Sequence, residues 1–349
     1  MTQEDQPSRR DLLGSLFDGE EPAADSSVIP VAGGPVFSYS ANAMGCLFQL
    51  LCDGENQQTI AWHAPEALQL IADLEQELSI YRDSSPMSAI NQLQNGEHLK
   101  ISRDLFDLLS SAVEISRASG GAFDISATPL SRLWKMCRHE RRLPEPVDIE
   151  RLLPYVGNNT IRLDEQQSSI SLTDQRVQLD LGGIGKGYAL DRVRELLHGH
   201  EAEHFLIHGG QSSVVASGLR DGSQRWEVGI THPLSPGVRL AQVALQDQSI
   251  GTSGSGRQSF VVAGQRYGHI IDPRTGWPAD HMLAATVIAD SAMMADALAT
   301  AIFVAGFDHT QTICDQFNLG AILVSADASS GQLQIDRINV ADDAWTMLV

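Results

Sequence analysis

"LDLGGIGKGYALD", residues 179–191, places four glycines, a lysine and two aspartates where one kind of apolar pattern gives way to another. Before it, "RVQLDL" (176–181) reads as a strand; behind it, Ala189, Leu190, Val193, Leu196 and Leu197 mark one face of a helix. Strand, glycine turn and helix together aim free backbone N–H groups at an anion, usually a phosphate. Neither familiar nucleotide fold fits. A P-loop requires GxxxxGK followed by Ser or Thr, whereas Lys186 precedes Gly187. A Rossmann turn requires GxGxxG with an acid about 20 residues on, at the end of the next strand. That strand, "HFLIHGG" (204–210), has none. The stretch alone is either a tight packing turn or a phosphate site.

The surrounding texture sets the fold class. Beyond residue 155 come short β-prone runs: "TIRL", "SSISL", "RVQLDL", "HFLIHGG", "SSVVASG", "RWEVGI", "RLAQVAL", "SFVVAG", "GHIID", "LAATVIA", "GAILVS" and "LQIDRI", separated by Gly, Pro, Asp and Asn. Two helices interrupt them, at 187–198 and 291–306. This predicts an α+β fold with mixed, largely antiparallel sheets and flanking helices rather than a βαβ alternation. Upstream, Val36 to Leu51 suggests a strand pair around "ANAMG". A helix starting at Pro65 is expected from Ala67, Leu68, Ile71, Leu74 and Leu78. A second carries Leu105, Phe106, Leu109, Val113 and Ser116 and stops at Gly120 and Gly121. Residues 1–34 read as a disordered acidic tail and 35–349 as the folded, catalytic part.

The chain has 349 residues, 42% of them hydrophobic, and a formal net charge of -20, which argues against nucleic acid and anionic membrane as partners. Cys46, Cys52, Cys137 and Cys314 form no CxxC pair and are expected to be reduced. "SRRDLLGSLF" (8–17) imitates a twin-arginine signal, yet "DGEEPAAD" follows where an apolar run should stand. A cytoplasmic location is therefore expected, with export as the alternative if that N-terminus is functional. No apolar stretch reaches the ~20 residues of a membrane span.

Several residues carry candidate chemistry. Asp296 is the lone charge of "SAMMADALATAIFVAG" (291–306), and a buried unpaired carboxylate is costly. It pairs with Lys186 or an arginine, caps a backbone group, or meets a hard cation together with Thr300 one turn on. His269 in "GHIIDPRTGWP" is structural or catalytic, and Asp272 suits the turn behind it. "GTSGSG" (251–256) binds phosphate or turns a hairpin, and "GGAFDISATPL" (120–130) is equally open. Tyr81 stacks on an aromatic ligand or packs on a loop.

The order of eight blocks is more informative than any one. "AMGCLF", "ELSIYRDSSPMSAIN", "GGAFDISATPL", "LDLGGIGKGYALD", "GGQSSVVASG", "GTSG", "HIIDPRTGWP" and "VIADSAMMADALATAIFVAG" resemble the ApbE-like FAD:protein FMN transferases over residues 38–325. The resemblance implies that family's flavin transferase fold and a Mg²⁺-dependent phosphoryl transfer. FMN would pass from FAD to a Thr or Ser hydroxyl of an acceptor protein, releasing AMP. It implies that Met44, Tyr81, Ala122, Phe123 and Asp124 line the FAD site, that Asp180 and Lys186 flank the diphosphate, and that Ile270 packs on the flavin half. It further implies metal ligands at Asp296, Thr300 and the backbone of Gly183 and Ala299, with His269 as base or positioning group.

Two positions depart from the family pattern: Ser255 and Gln211 stand where relatives usually carry Asp. They bear on acceptor recognition or the transfer step more than on FAD binding. The alternatives are an FAD pyrophosphatase giving FMN and AMP, and a flavin-binding protein without turnover. No acceptor motif of the Asp-x-x-Ser/Thr-Gly-Ala-Thr type occurs in the chain itself.

Overall fold

A central sheet buried on both faces explains why its strands read as unbroken apolar runs rather than alternating ones. The structure, a computed structural model, describes residues 37–53, 57–221, 223–235, 237–255, 259–327 and 332–349. The tail expected at 1–34 and Gly256 of the "GTSGSG" run lie outside the described residues.

The first half contains β1 (Phe37–Ala43), β2 (Cys46–Cys52), α1 (Gln57–Leu78), α2 (Pro86–Ile90), β3 (Leu99–Lys100), α3 (Arg103–Ala118), α4 (Thr128–Glu140), α5 (Pro146–Leu152), β4 (Ile161–Asp164) and β5 (Ser169–Leu172). There follow α6 (Gly185–Gly199), β6 (Phe205–Gly209), β7 (Ser213–Ser217), β8 (Trp226–Thr231), β9 (Arg239–Leu245), β10 (Gln248–Gly254), β11 (Phe260–Val262), β12 (Gln265–Tyr267) and β13 (Ala284–Ala289). The chain ends in α7 (Ala292–Ala305), α8 (Phe307–Phe317), β14 (Gly320–Ala326), β15 (Leu333–Ile338) and β16 (Trp345–Met347). Eight strands pair in the order β1-β2-β6-β7-β10-β13-β14-β15, every pair antiparallel. This is the expected α+β class.

Alternate residues of the sheet serve different layers. Ile207, Val215, Val287 and Leu323 join Ile71 of α1, Leu190 of α6 and Leu298 of α7 in the main core. Their neighbours Leu206, Val214, Ile288 and Ile322 face Trp226, Val243 and Leu245 of the small β16-β9-β8 sheet. A separate cluster joins Trp134 of α4, Ile149 of α5 and Ile271.

Some local expectations change. Helix α1 begins at Gln57 and holds Pro65 inside it, because fully buried Ile60 and Ala64 extend the apolar face before the proline. "RVQLDL" begins in a turn and joins no sheet: the Asn91 side chain takes both the N–H and the C=O of Leu179, and Asp180 N bonds Ile125 O. "GHIID" contributes one isolated bridge, Ile271 to Pro278, and "GTSG" lies within β10 rather than at a turn. Helices α2, α4, α5 and α8 have no counterpart in the pattern reading. The first three begin at or beside prolines (Pro86, Pro129, Pro146), where a missing N–H costs nothing.

Two glycines set the packing of α7. A Cβ at Gly187 would lie 2.1 Å from the Ala292 carbonyl oxygen, and one at Gly251 would lie 2.2 Å from that of Ala295. The helix thus rests directly on the start of α6 and on β10. Asp191 of α6 caps it, accepting from Ser291 Oγ, Ala292 N and Met293 N.

His208 of β6 is 3% exposed, with Nε2 at 3.2 Å from Gln49 Oε1. Burial disfavours its imidazolium and lowers its pKa to about 4.

Two tests follow from this packing. Gly251→Ala should cost ~3 kcal/mol in denaturant unfolding. Gly199→Ala, where a Cβ meets nothing within 4 Å, should be neutral or stabilising by up to ~1 kcal/mol. The unfolded chain takes the His208 proton near pH ~6.5 and the folded one only near 4. Stability present above pH ~6.5 should therefore fall as pH drops toward 4, by up to ~3 kcal/mol. Pairwise pH titrations of stability should show a shallower slope over that window in His208→Gln than in the native chain.

Candidate functional site

Asp296 enters an otherwise apolar helix and is 5% exposed. Its Oδ2 lies 3.4 Å from Lys186 Nζ and accepts from Gly187 N at 3.2 Å. Its Oδ1 accepts from Ser213 Oγ at 3.0 Å. The pairing with Lys186 and the capping of a backbone group, both open from sequence, are both present. Three donors still leave capacity on a carboxylate, which offers about four lone-pair sites.

One turn along α7, Thr300 Oγ1 is 2.8 Å from Ser253 Oγ of β10. A Cβ at Gly183 would sit 3.2 Å from Phe123 Cε2 and 3.9 Å from Thr300 Oγ1, so glycine lets the backbone lie against both. Carboxylate, hydroxyl and backbone thus gather in one place as a hard-oxygen set that suits Mg²⁺.

These groups open into a cleft of about 670 Å³, within the range of small-molecule sites. Its walls bring together Ala122, Phe123, Asp124, Asp180, Gly183, Lys186, His269, Ile270, Asp296 and Thr300. Met44 and Tyr81 lie outside those walls. Met44, at φ 50, forms with Gly45 the two-residue turn between β1 and β2, and it packs on the main core. The start of β2, just after this turn, adjoins the cleft at Gly210, whose N–H bonds Leu47 O. Tyr81 is 67% exposed. Partial burial, then the charge of Asp180, raise its pKa against the opposing charge of Arg132.

The acids differ in role. Burial lifts the Asp180 carboxyl above its ordinary value, against the Gly182 N–H at 2.9 Å and Arg132. Asp124 lines the cleft but spends its carboxylate on the scaffold, accepting from Ser116 Oγ at 2.7 Å, Ser126 N at 2.9 Å and Ser126 Oγ. Exposed His269 and half-buried Ile270 lead into a turn locked by Asp272. That carboxylate accepts from Arg274 N and, bidentately, from the Arg274 guanidinium. Gln211 lines the cleft, and Ser255 Cβ lies 3.6 Å from a Cβ position on Gly268, next to His269.

A scan against protein-family models matches the ApbE family over residues 44–323. The chain belongs to the ApbE family. Relatives named FAD:protein FMN transferase include one from Haemophilus influenzae, 30% identical, with 83% of this chain and 86% of that protein covered. Another, from Treponema pallidum, is 32% identical with 81% and 83% covered. Among solved structures, the ApbE protein of Thermotoga maritima aligns at a TM-score of 0.76 with 28% identity, covering 86% of this chain and 96% of that one. The flavinyl transferase ApbE of Pseudomonas stutzeri, in its apo form, aligns at 0.76 with 25% identity, covering 90% and 98%.

Sequence reasoning gave no individual role to Ser213, took Ser253 only as one hydroxyl of the "GTSGSG" run, and named Cys46 only as a reduced thiol. Both serines are polar breaks in apolar strands, and Ser213 is fully buried, so a partner was required. Cys46 lies where a Cβ on Gly210 would come 3.1 Å from its sulfur. Burial pushes its thiol up to about 11, with Lys186 opposing and Asp296 adding to the shift, so it stays protonated at neutral pH. All four cysteines are free.

Asp124→Ala should lose on the order of 2 kcal/mol of stability without any flavin present, because it strands the Ser116 and Ser126 donors. Chemical denaturation of the flavin-free protein checks this scaffolding role directly.

Proposed function

We propose that this protein, through residues 35–349, transfers FMN from FAD to a threonine or serine hydroxyl of an acceptor protein, with Mg²⁺ as cofactor and AMP as leaving product. The observation that carries the reading is the charge of the cleft. Its wall holds the carboxylates of Asp124, Asp180 and Asp296 but, among the described lining residues, Lys186 as the single Lys or Arg. An anionic pyrophosphate needs more positive charge than one lysine already paired to Asp296 supplies.

A divalent ion held by Asp296, Thr300 and the backbone oxygens of Gly183 and Ala299 would offset charge on the phosphate oxygens. Lys186 would help orient the diphosphate. The acceptor oxygen would attack the FMN phosphorus while the bond to the AMP oxygen breaks, and His269 would take the hydroxyl proton. Ala122, Phe123 and Ile270 would give the rings an apolar seat, with Met44 and Tyr81 closing over the outer side. Tyr81 stacking would add on the order of 1 kcal/mol.

Incubation with FAD, Mg²⁺ and an acceptor subunit tests the reading. Flavin fluorescence on the denatured acceptor band supports transfer. Free FMN and AMP without a labelled band would point instead to hydrolysis. FAD bound without AMP release would make the protein a flavin carrier. Asp296→Ala should keep its circular dichroism spectrum and lose at least ~10²-fold in Mg²⁺-dependent labelling rate; an unchanged rate would remove the metal assignment.

A further inference from the structure

Among the described residues, one group of three metal-ligating side chains lies away from the cleft: His63 and Glu66 on α1, and His200 just past the end of α6. His63 and Glu66 are three residues apart and share a helix face. Glu66 Oε2 lies 3.5 Å from His63 Nδ1 and 3.4 Å from His200 Nε2, and the three ligand atoms all fall within 4.8 Å of one another. The two imidazoles stack, centroids 3.7 Å apart and planes 11° from parallel, so taking up an ion requires a ring to rotate out of the stack until both in-plane nitrogen lone pairs meet it. Bonds of ~2.0–2.1 Å around a tetrahedral ion separate its ligands by ~3.3 Å. Both nitrogen–oxygen separations are close to that edge.

The donor chemistry selects among cations. Two imidazoles and one carboxylate suit Zn²⁺ and its neighbours in the transition series, not Mg²⁺, which prefers all-oxygen sites. We infer that His63, Glu66 and His200 form a transition-metal site of the zinc class that clips α1 to the C-terminal end of α6. Helix α6 is ~22 Å long at 1.5 Å per residue, and Lys186 stands near its other end. The site is therefore separate from the flavin cleft and acts on stability: an ion that binds only the folded chain raises the unfolding midpoint. The side chains are reachable, with exposures of 21%, 56% and 37% for His63, Glu66 and His200.

The test uses the full chain, stripped with a chelator and held in saturating Mg²⁺ to occupy the cleft. Calorimetric titration with ZnCl₂ should show one tight equivalent, and Co²⁺ should give the intense visible absorption of four-coordinate cobalt. His63→Ala and His200→Ala should each weaken Zn²⁺ binding about tenfold or more, since even outer-shell losses cost 10–100-fold. Both should also lose the Zn²⁺-induced rise in melting temperature. Asp296→Ala should retain the equivalent at the same affinity. No binding, or an isotherm and melting shift unaltered in both histidine variants, overturns the site.

Discussion

The contact on which the rest of the structure depends is the backbone-on-backbone seating of α7 between the first turn of α6 and strand β10. Gly187 and Gly251 allow it, because a methyl group at either would overlap the helix carbonyls. Helix α7 is apolar nearly all round, so burying it on the sheet is favourable by itself. Its depth decides where the lone carboxylate emerges. Asp296 is delivered within reach of Gly187 N, Lys186 and Ser213 at once. A shallower helix would keep its hydrophobic contacts in part and lose this convergence.

The same seating explains why Lys186 is not followed by the hydroxyl residue of a P-loop. Position 187 is the point of helix contact, so it has no room for a side chain, and its N–H is turned to Asp296 rather than left for a ligand. Hydroxyl groups reach the cleft from elsewhere instead, from Thr300 on α7 and Ser253 on the adjoining strand β10, which bond each other. Glycine-turn geometry is shared with nucleotide folds, but here the turn is built around a neighbouring helix.

What was legible in the sequence follows from this physics. The isolated Asp296 and the glycine turn stood out because both violate local rules, and both lie at the site. The β runs were legible because burial on two faces made them continuous. "RVQLDL" looked like another of these, yet its hydrogen bonds go to Asn91 and Ile125, which no periodicity reveals. Helix α1 outruns Pro65 because tertiary burial of Ile60 and Ala64 offsets the lost bond. Ser213 was hidden by the same uniform burial that exposed its strand. The metal-type cluster at His63 and His200 joins residues far apart in sequence, so only the packing of α1 on α6 shows it.

The cleft lies where two separately held structures meet. Asp296, Thr300 and Lys186 belong to the α6–α7 pair on the sheet. Phe123 and Asp124 belong to the turn between α3 and α4, and His269 to the turn that Trp134 of α4 grips through Gly276 O at 2.7 Å. Gly276 is itself at φ 75, and a Cβ there would press on Ile149 of α5. Phe123 packs in the same main core as α7, so what a different cluster holds is the Asp272–Gly276 turn, seated on Trp134, Ile149 and Ile271. Gln211 lines the cleft, and Ser255 lies against Gly268 beside His269. Both side chains are uncharged, so neither adds to the negative charge that Asp124, Asp180 and Asp296 already place on the cleft wall.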